Sequence, residues 1–198
     1  MKPQFSEAIK FKNGVFYNLS YHQARVNKTL EKFGGGEIDL AKALSEMPVP
    51  VQQGIFKCRV VYGKSIETIE FAPYSFRRIA TIGMVESNDI EYGYKYTNRN
   101  MLNKLLKQTG CDDMIIIRQG FTTDAFASNL VFESSEGLFT PDTCLLPGTK
   151  RRFLLDTGKI TEKRITARDI QSYSQIRFIN AMIDLEDNIC IEVKKLFR

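Results

Sequence analysis

Apolar residues recur along the chain with two periods, and the switches between them mark out its elements. Phe5 to Ile9 and Val15 to Tyr17 are short β-type runs flanking Lys12-Asn13-Gly14, an Asn-Gly turn that favours a tight hairpin. Leu19, Val26, Leu30 and Phe33 then recur at roughly helical spacing. That predicts a helix capped at Asn18 or Ser20 and stopped by Gly34-Gly35-Gly36. His22 and Arg25, three apart, share one face of it. A second helix is expected from Ile38 to Met47, closed by Pro48 and Pro50. Three strand-like runs follow: Gly54 to Tyr62, Ser65 to Phe71 and Arg78 to Val85.

The polar, turn-prone Glu86-Ser87-Asn88-Asp89 reads as a crossing between two subdomains, a smaller α+β part over residues 1–88 and a larger part over 89–198. In the second part, Tyr94-Lys95-Tyr96 leads into a helix from about Thr97. Met101, Leu102, Leu105 and Leu106 form its buried stripe and Gly110 its stop. Met114 to Ile117 is a continuous apolar strand, as expected for burial on both faces. Phe126 to Phe132 and Gly137 to Thr140 make a further hairpin, and Thr149 to Leu155 a short helix ended near Gly158. A brief strand, a helical Ile165 to Tyr173, and two strands, Ile176 to Leu185 and Ile189 to Val193, complete the chain. The fold class expected is α/β (α+β), without internal repeats or low-complexity tracts.

Composition narrows the chemistry. With 198 residues, 43% apolar and 26% charged, the chain has material for one large domain or two small ones. No apolar run approaches the ~18 residues of a membrane span, and Met1 to Lys10 lacks the basic-then-apolar pattern of a signal peptide, so a cytoplasmic protein is expected. Cys58, Cys111, Cys144 and Cys190 form no CxxC pair and read as buried thiols, giving neither a zinc site nor a disulfide framework. His22 is the single histidine, which leaves a Ser-His-Asp triad or a multi-histidine metal site without material. Lys and Arg number 28 against 23 acids, a net +5. These cations are scattered, and the densest cluster is Lys150-Arg151-Arg152. Lacking an aromatic-basic signature, the chain reads as a solvated mixed surface with no nucleic-acid and no membrane partner.

Several short stretches carry more information in combination. Thr122 to Phe132 sets Asp124 before an apolar strand, and Leu145-Leu146-Pro147-Gly148-Thr149-Lys150-Arg151 is a turn opening a helix, a natural anion site. Taken singly, Lys95 reads as a surface lysine at a helix start, Asp124 as a turn or cap aspartate, Arg25 as an exposed helix arginine and Gly148 as a plain turn glycine. Taken in order, Tyr21-His22-Gln23-Ala24-Arg25, Tyr94-Lys95-Tyr96, Thr123-Asp124 with Ser128-Asn129-Leu130-Val131-Phe132, Leu146 to Arg151, and Asn180-Ala181-Met182 resemble the class IV (fold type IV) pyridoxal-phosphate enzymes. That family includes branched-chain and D-amino-acid aminotransferases and 4-amino-4-deoxychorismate lyase, and the resemblance spans nearly the whole chain.

The resemblance implies a two-subdomain fold with pyridoxal 5'-phosphate between the subdomains and a homodimer completing the pocket for a small amino substrate, with no metal. Lys95 matches the family's Schiff-base lysine, whose amine must be neutral when it attacks the cofactor aldehyde. Asp124 matches the carboxylate at the pyridine nitrogen, where many relatives have Glu. Gly148, Thr149 and Lys150 match the phosphate turn, and Arg25 the phosphate arginine, whose fork suits an anion. Many relatives read Gly-Ile-Thr-Arg at that turn, so the hydroxyl here is displaced by one position. Leu146 packs against the cofactor ring or is an ordinary core leucine. Asn180 occupies a place where aminotransferases often carry Gly-Thr and the lyases Asn-Ala. His22 matches a motif histidine and is taken as a packing or hydrogen-bonding residue.

Three readings of function follow. The leading one is a lyase resembling 4-amino-4-deoxychorismate lyase, which releases pyruvate and leaves 4-aminobenzoate for folate synthesis. The second is a class IV aminotransferase acting on a branched-chain or D-amino acid. The third is a non-catalytic relative that uses Lys150-Arg151-Arg152 for an anionic partner.

Overall fold

The computed structural model describes residues 3–51 and 53–196. The outermost ends of the two expected subdomains, residues 1, 2, 197 and 198, lie outside the described residues. Two compact units result. The first runs to Phe76 and includes Tyr94–Asn98; the second holds Arg77–Gly93 and the chain from Arg99 onward.

In the first unit, β1 (Phe5–Lys12) and β2 (Val15–Phe16) form the Asn-Gly hairpin, with Asn13 at φ 53 and Gly14 at φ 78, the left-handed conformations a tight primed turn demands. The helix α1 (Leu19–Phe33) starts after Asn18 and stops at Gly34, whose φ of 69 is the left-handed C-cap expected of glycine. Asn18 precedes the helix without a side-chain cap. The next helix, α2 (Leu40–Ser45), is shorter than Ile38 to Met47 because the Asp39 side chain accepts from the Lys42 N–H and fixes its start. Strands β3 (Ile55–Tyr62) and β4 (Ile66–Pro73) complete an antiparallel sheet in the order β2-β1-β3-β4. Phe5 and Ile9 of β1 and Cys58, Val60 and Tyr62 of β3 pack against Val26, Leu30, Leu40 and Leu44 of the two helices. Residues 94–98 pair with the start of β1: the Ser6 N–H donates to the Lys95 carbonyl at 2.9 Å, and Thr97 N–H to the Gln4 carbonyl at 2.9 Å.

Those bonds hold Thr97 out of any helix, so α3 (Asn100–Thr109), in the second unit, begins later than the sequence suggests. Leu102 and Leu105 are buried, whereas Met101 is 45% exposed, since one helical step turns it off that face. The expected strand Arg78 to Val85 shortens to β5 (Ile82–Glu86) because Asp112 takes the N–H groups of Ala80 and Thr81. Strand β6 (Asp113–Arg118) lies parallel to β5 and antiparallel to β7 (Phe121–Thr122). Its burial on both faces is as expected: Met114 and Ile116 pack with Leu102 and Leu105 of α3, while Ile115 and Ile117 join the main core.

A five-stranded sheet, β10-β9-β8-β11-β12, forms the rest of that core. It comprises β8 (Asn129–Ser134), β9 (Gly137–Pro141), β10 (Thr161–Lys163), β11 (Gln175–Ile179) and β12 (Cys190–Glu192). Leu130 and Phe132 of β8 meet Ile176 and Phe178 of β11 on one face. On the other, Val131 meets Leu154 of α4 (Thr149–Asp156). The helix expected over Ile165 to Tyr173 is absent. Thr166 and Asp169 close a turn on each other, and only a 3-10 turn over Asp169–Ser172 follows. The strand expected over Ile176 to Leu185 ends at Ile179, where Asn180 bends the chain.

Candidate cofactor site

Arg25 and Lys95 lie in the first unit. Arg25 projects from α1 toward Glu7 of β1: its Nε donates to Glu7 Oε1 at 2.9 Å and its Nη2 to Oε2 at 2.5 Å. His22, one turn earlier and fully buried, lies with Nδ1 2.5 Å from the same Oε2. Burial alone would raise the Glu7 carboxyl, but the Arg25 charge and the His22 contact outweigh it and hold the group at about 2. Burial pushes the His22 imidazole below its ordinary value, against the pull of Glu7 and with the Arg25 and Lys95 charges adding to the fall. Lys95 is partly buried on the segment clamped to β1 next to Glu7, rather than exposed at a helix start. Glu7 had no role in the sequence reading. The signal was present, however, because an acid on the register of Phe5, Ile9 and Phe11 faces the core and needs a cation there.

Asp124, Leu146, Gly148, Thr149, Lys150 and Asn180 lie in the second unit, and the first three meet around a residue the sequence reading left without a role. Asn129, the first residue of β8, donates from Nδ2 to Asp124 Oδ1 at 2.8 Å and to the Leu146 carbonyl at 2.9 Å. The Leu146 N–H donates to Asp124 Oδ2 at 2.9 Å. A Cβ on Gly148 would stand 2.0 Å from Asn129 Oδ1, so glycine is what lets the turn close on this amide. Asp124 is buried, and burial pushes its carboxyl up to about 6 despite the Leu146 N–H, the Asn129 amide and the Arg151 charge. A buried carboxylate with that proton affinity suits a cationic ring nitrogen as partner.

Gly148 is the N-cap of α4. It offers no side-chain acceptor, and no acid stands in the first turn, which keeps the dipole end suited to an anion. Thr149 is buried in that turn. The Lys150 ammonium pairs with Asp184 and sits over the Phe153 ring, so its contribution to an anion is its backbone N–H. Arg151 is equally buried, donating to the Pro141 carbonyl at 2.8 Å and to Glu162 at 2.6 Å. Of the expected basic cluster only Arg152 is exposed, and it pairs with Asp156 one turn on, so the patch that an anion-binding relative would use is not formed. Asn180 is spent on its own loops. Its Nδ2 donates to the Ala127 carbonyl and Ser128 Oγ, both at 3.1 Å, and its Oδ1 accepts from the N–H groups of Met182 at 2.8 Å and Ile183 at 3.1 Å.

Around a lysine clamped beside a buried Glu-His-Arg cluster, and a buried carboxylate tied to a glycine-opened helix N-terminus, the chain has the fold of the fold type IV transaminases. The model of the class IV amino-transferase family matches residues 4–185. An uncharacterised protein of Haemophilus influenzae is 37% identical over 186 residues, 92% of this chain and 98% of its own. The crystal structure of a proposed 4-amino-4-deoxychorismate lyase from Haemophilus somnus 129PT matches with a TM-score of 0.86 and 36% identity, over 92% of this chain and 97% of that one. A hypothetical aminotransferase from Mycobacterium tuberculosis, in its pyridoxal-phosphate-bound form, shares the fold with a TM-score of 0.76 and 14% identity, over 98% of this chain and 81% of that one. The chain belongs to the class IV aminotransferases, a family of enzymes that depend on pyridoxal phosphate.

Proposed function

We propose that this protein is a pyridoxal-phosphate-dependent lyase that converts 4-amino-4-deoxychorismate to 4-aminobenzoate and pyruvate, a step that feeds folate synthesis in the cytoplasm. The observation that carries the cofactor reading is Asp124, a buried carboxylate with both oxygens held by Leu146 and Asn129 beside the Gly148 turn. The lyase reading is supported by the 36% identity to the Haemophilus somnus protein.

When bound, the cofactor supplies an electron-withdrawing ring that accepts the electron pair left as a bond at the substrate's amine-bearing carbon breaks. Lys95 would supply the primary amine that holds the cofactor's aldehyde. Its Nζ would also be the group that moves protons to and from the substrate carbon. Asp124 would hold the proton on the ring nitrogen. The backbone N–H groups at the start of α4 would offer the phosphate their donors, Leu146 beside Asp124 would offer the ring an apolar wall, and Arg25 is the cation this reading assigns to the phosphate. The active form in this reading is a homodimer, and a monomer by light scattering at assay concentration would remove that part.

The test is product analysis with protein, added cofactor and 4-amino-4-deoxychorismate. Equal amounts of 4-aminobenzoate and pyruvate support the lyase. Release of a 2-oxo acid from an added branched-chain or D-amino acid, with no 4-aminobenzoate, replaces it with the aminotransferase.

A further inference from the structure

Among the described residues, Glu7 is the one fully buried acid of the first unit, and the cofactor chemistry proposed leaves it without a role. It sits on the face of β1 turned toward α1, where it holds two N–H groups of the Arg25 guanidinium and touches His22. The charged and titratable groups that face His22 come from each neighbouring element: Glu7 from β1, Arg25 from α1 and Lys95 from residues 94–98. Tyr62 of β3 closes the cluster, its hydroxyl pushed up to about 12 by burial and by the Glu7 charge.

We propose that Glu7 is the positioning residue for the phosphate arginine, and that an anion at Arg25 and a proton at His22 strengthen each other through it. This rests on the reading that Arg25 takes the cofactor phosphate. A two-point carboxylate–guanidinium bond fixes the plane of the fork and, with it, the direction in which the remaining donors point. Burial makes the arrangement stiff: an Arg25 rotamer that leaves Glu7 takes the guanidinium from a carboxylate that is fully buried, which is costly. An anion brought to Arg25 adds negative charge near His22 and favours the imidazolium form. By reciprocity, a protonated His22 favours the anion.

The test uses the full chain and two probes that differ only in the phosphate, pyridoxal phosphate and pyridoxal. The wild type is expected to prefer the phosphorylated form. In Glu7→Gln the preference falls roughly tenfold, within the span of coupling between sites, while the affinity for pyridoxal is unchanged. His22 is the only histidine, so its ring resonances report its titration without ambiguity; inorganic phosphate should move its midpoint to higher pH. A wild type without preference for the phosphorylated probe removes the reading of Arg25. A preference that survives in folded Glu7→Gln overturns the role of Glu7 alone. If Glu7→Gln does not fold, the wild-type histidine titration decides: a midpoint unmoved by saturating pyridoxal phosphate overturns the proposal.

Discussion

Asp124 and Asn129 are joined by a 2.8 Å hydrogen bond between Oδ1 and Nδ2, and the same amide nitrogen reaches the Leu146 carbonyl at 2.9 Å. One side chain thus fixes both the buried acid and the turn into α4. The Leu146 N–H on Asp124 Oδ2 adds a second tie, so the geometry of the acid and of the helix N-terminus stands or falls together.

Gly148→Ala tests that linkage. Its new Cβ would meet Asn129 Oδ1 at 2.0 Å, and Asn129 cannot give way without releasing Asp124. A destabilisation of about 2 kcal/mol is expected, the cost of a stranded buried polar group. Urea denaturation of a double-mutant cycle checks the cause: in an Asn129→Ala background the glycine replacement should cost under ~0.5 kcal/mol. An unchanged cost in that background places the strain elsewhere.

The two buried acids titrate in opposite senses. The Asp124 carboxyl, raised from 3.8 to about 6, is neutral in the fold where it would be charged in the unfolded chain. Its contribution to the stability of the cofactor-free protein is full below the unfolded value and is lost as pH rises through about 6, some ~3 kcal/mol in all. Glu7, lowered from 4.5 to about 2, contributes above its unfolded value and loses that contribution as pH falls through about 2. Buried His22, held below its ordinary value, adds a rise with pH that both proteins share, so denaturation measured from pH 4 to 8 should show the wild type losing stability relative to Asp124→Asn as pH rises through about 6. A stability difference between the two proteins that stays constant over that range would contradict the raised Asp124 carboxyl.

Asn180 gives a third prediction. All of its amide's hydrogen-bonding groups are spent on Ala127, Ser128, Met182 and Ile183. Asn180→Ala should lower stability by about 2 kcal/mol and leave the choice between amino substrates unchanged. A variant of wild-type stability with altered substrate preference would instead make Asn180 a substrate contact.

Much of this was readable in the chain. Val26 and Leu30, the Asn13-Gly14 turn and the Gly34 stop specified the first hairpin and α1 because their signals are local. The aspartate before β8 and the Pro147-Gly148 turn opening α4 were legible for the same reason. What escaped depends on distant partners. Asp112 takes strand donors from Ala80 and Thr81, thirty residues back, and so shortens β5. Ile165, Ile170 and Tyr173 are buried without the expected α-helix, because the Thr122 N–H donates to the Ile165 carbonyl and only a 3-10 turn follows. Lys150 looked like part of a basic surface until Asp184, far along the chain, was seen to hold it.

The central claim is that Lys95 is the residue that bonds the cofactor. The direct measurement is a visible spectrum with added pyridoxal phosphate before and after borohydride, followed by mass mapping of the labelled peptide. The account predicts a band that borohydride abolishes, with the stable adduct on Lys95 and its loss in Lys95→Ala. No band, or label spread over exposed lysines, would contradict it.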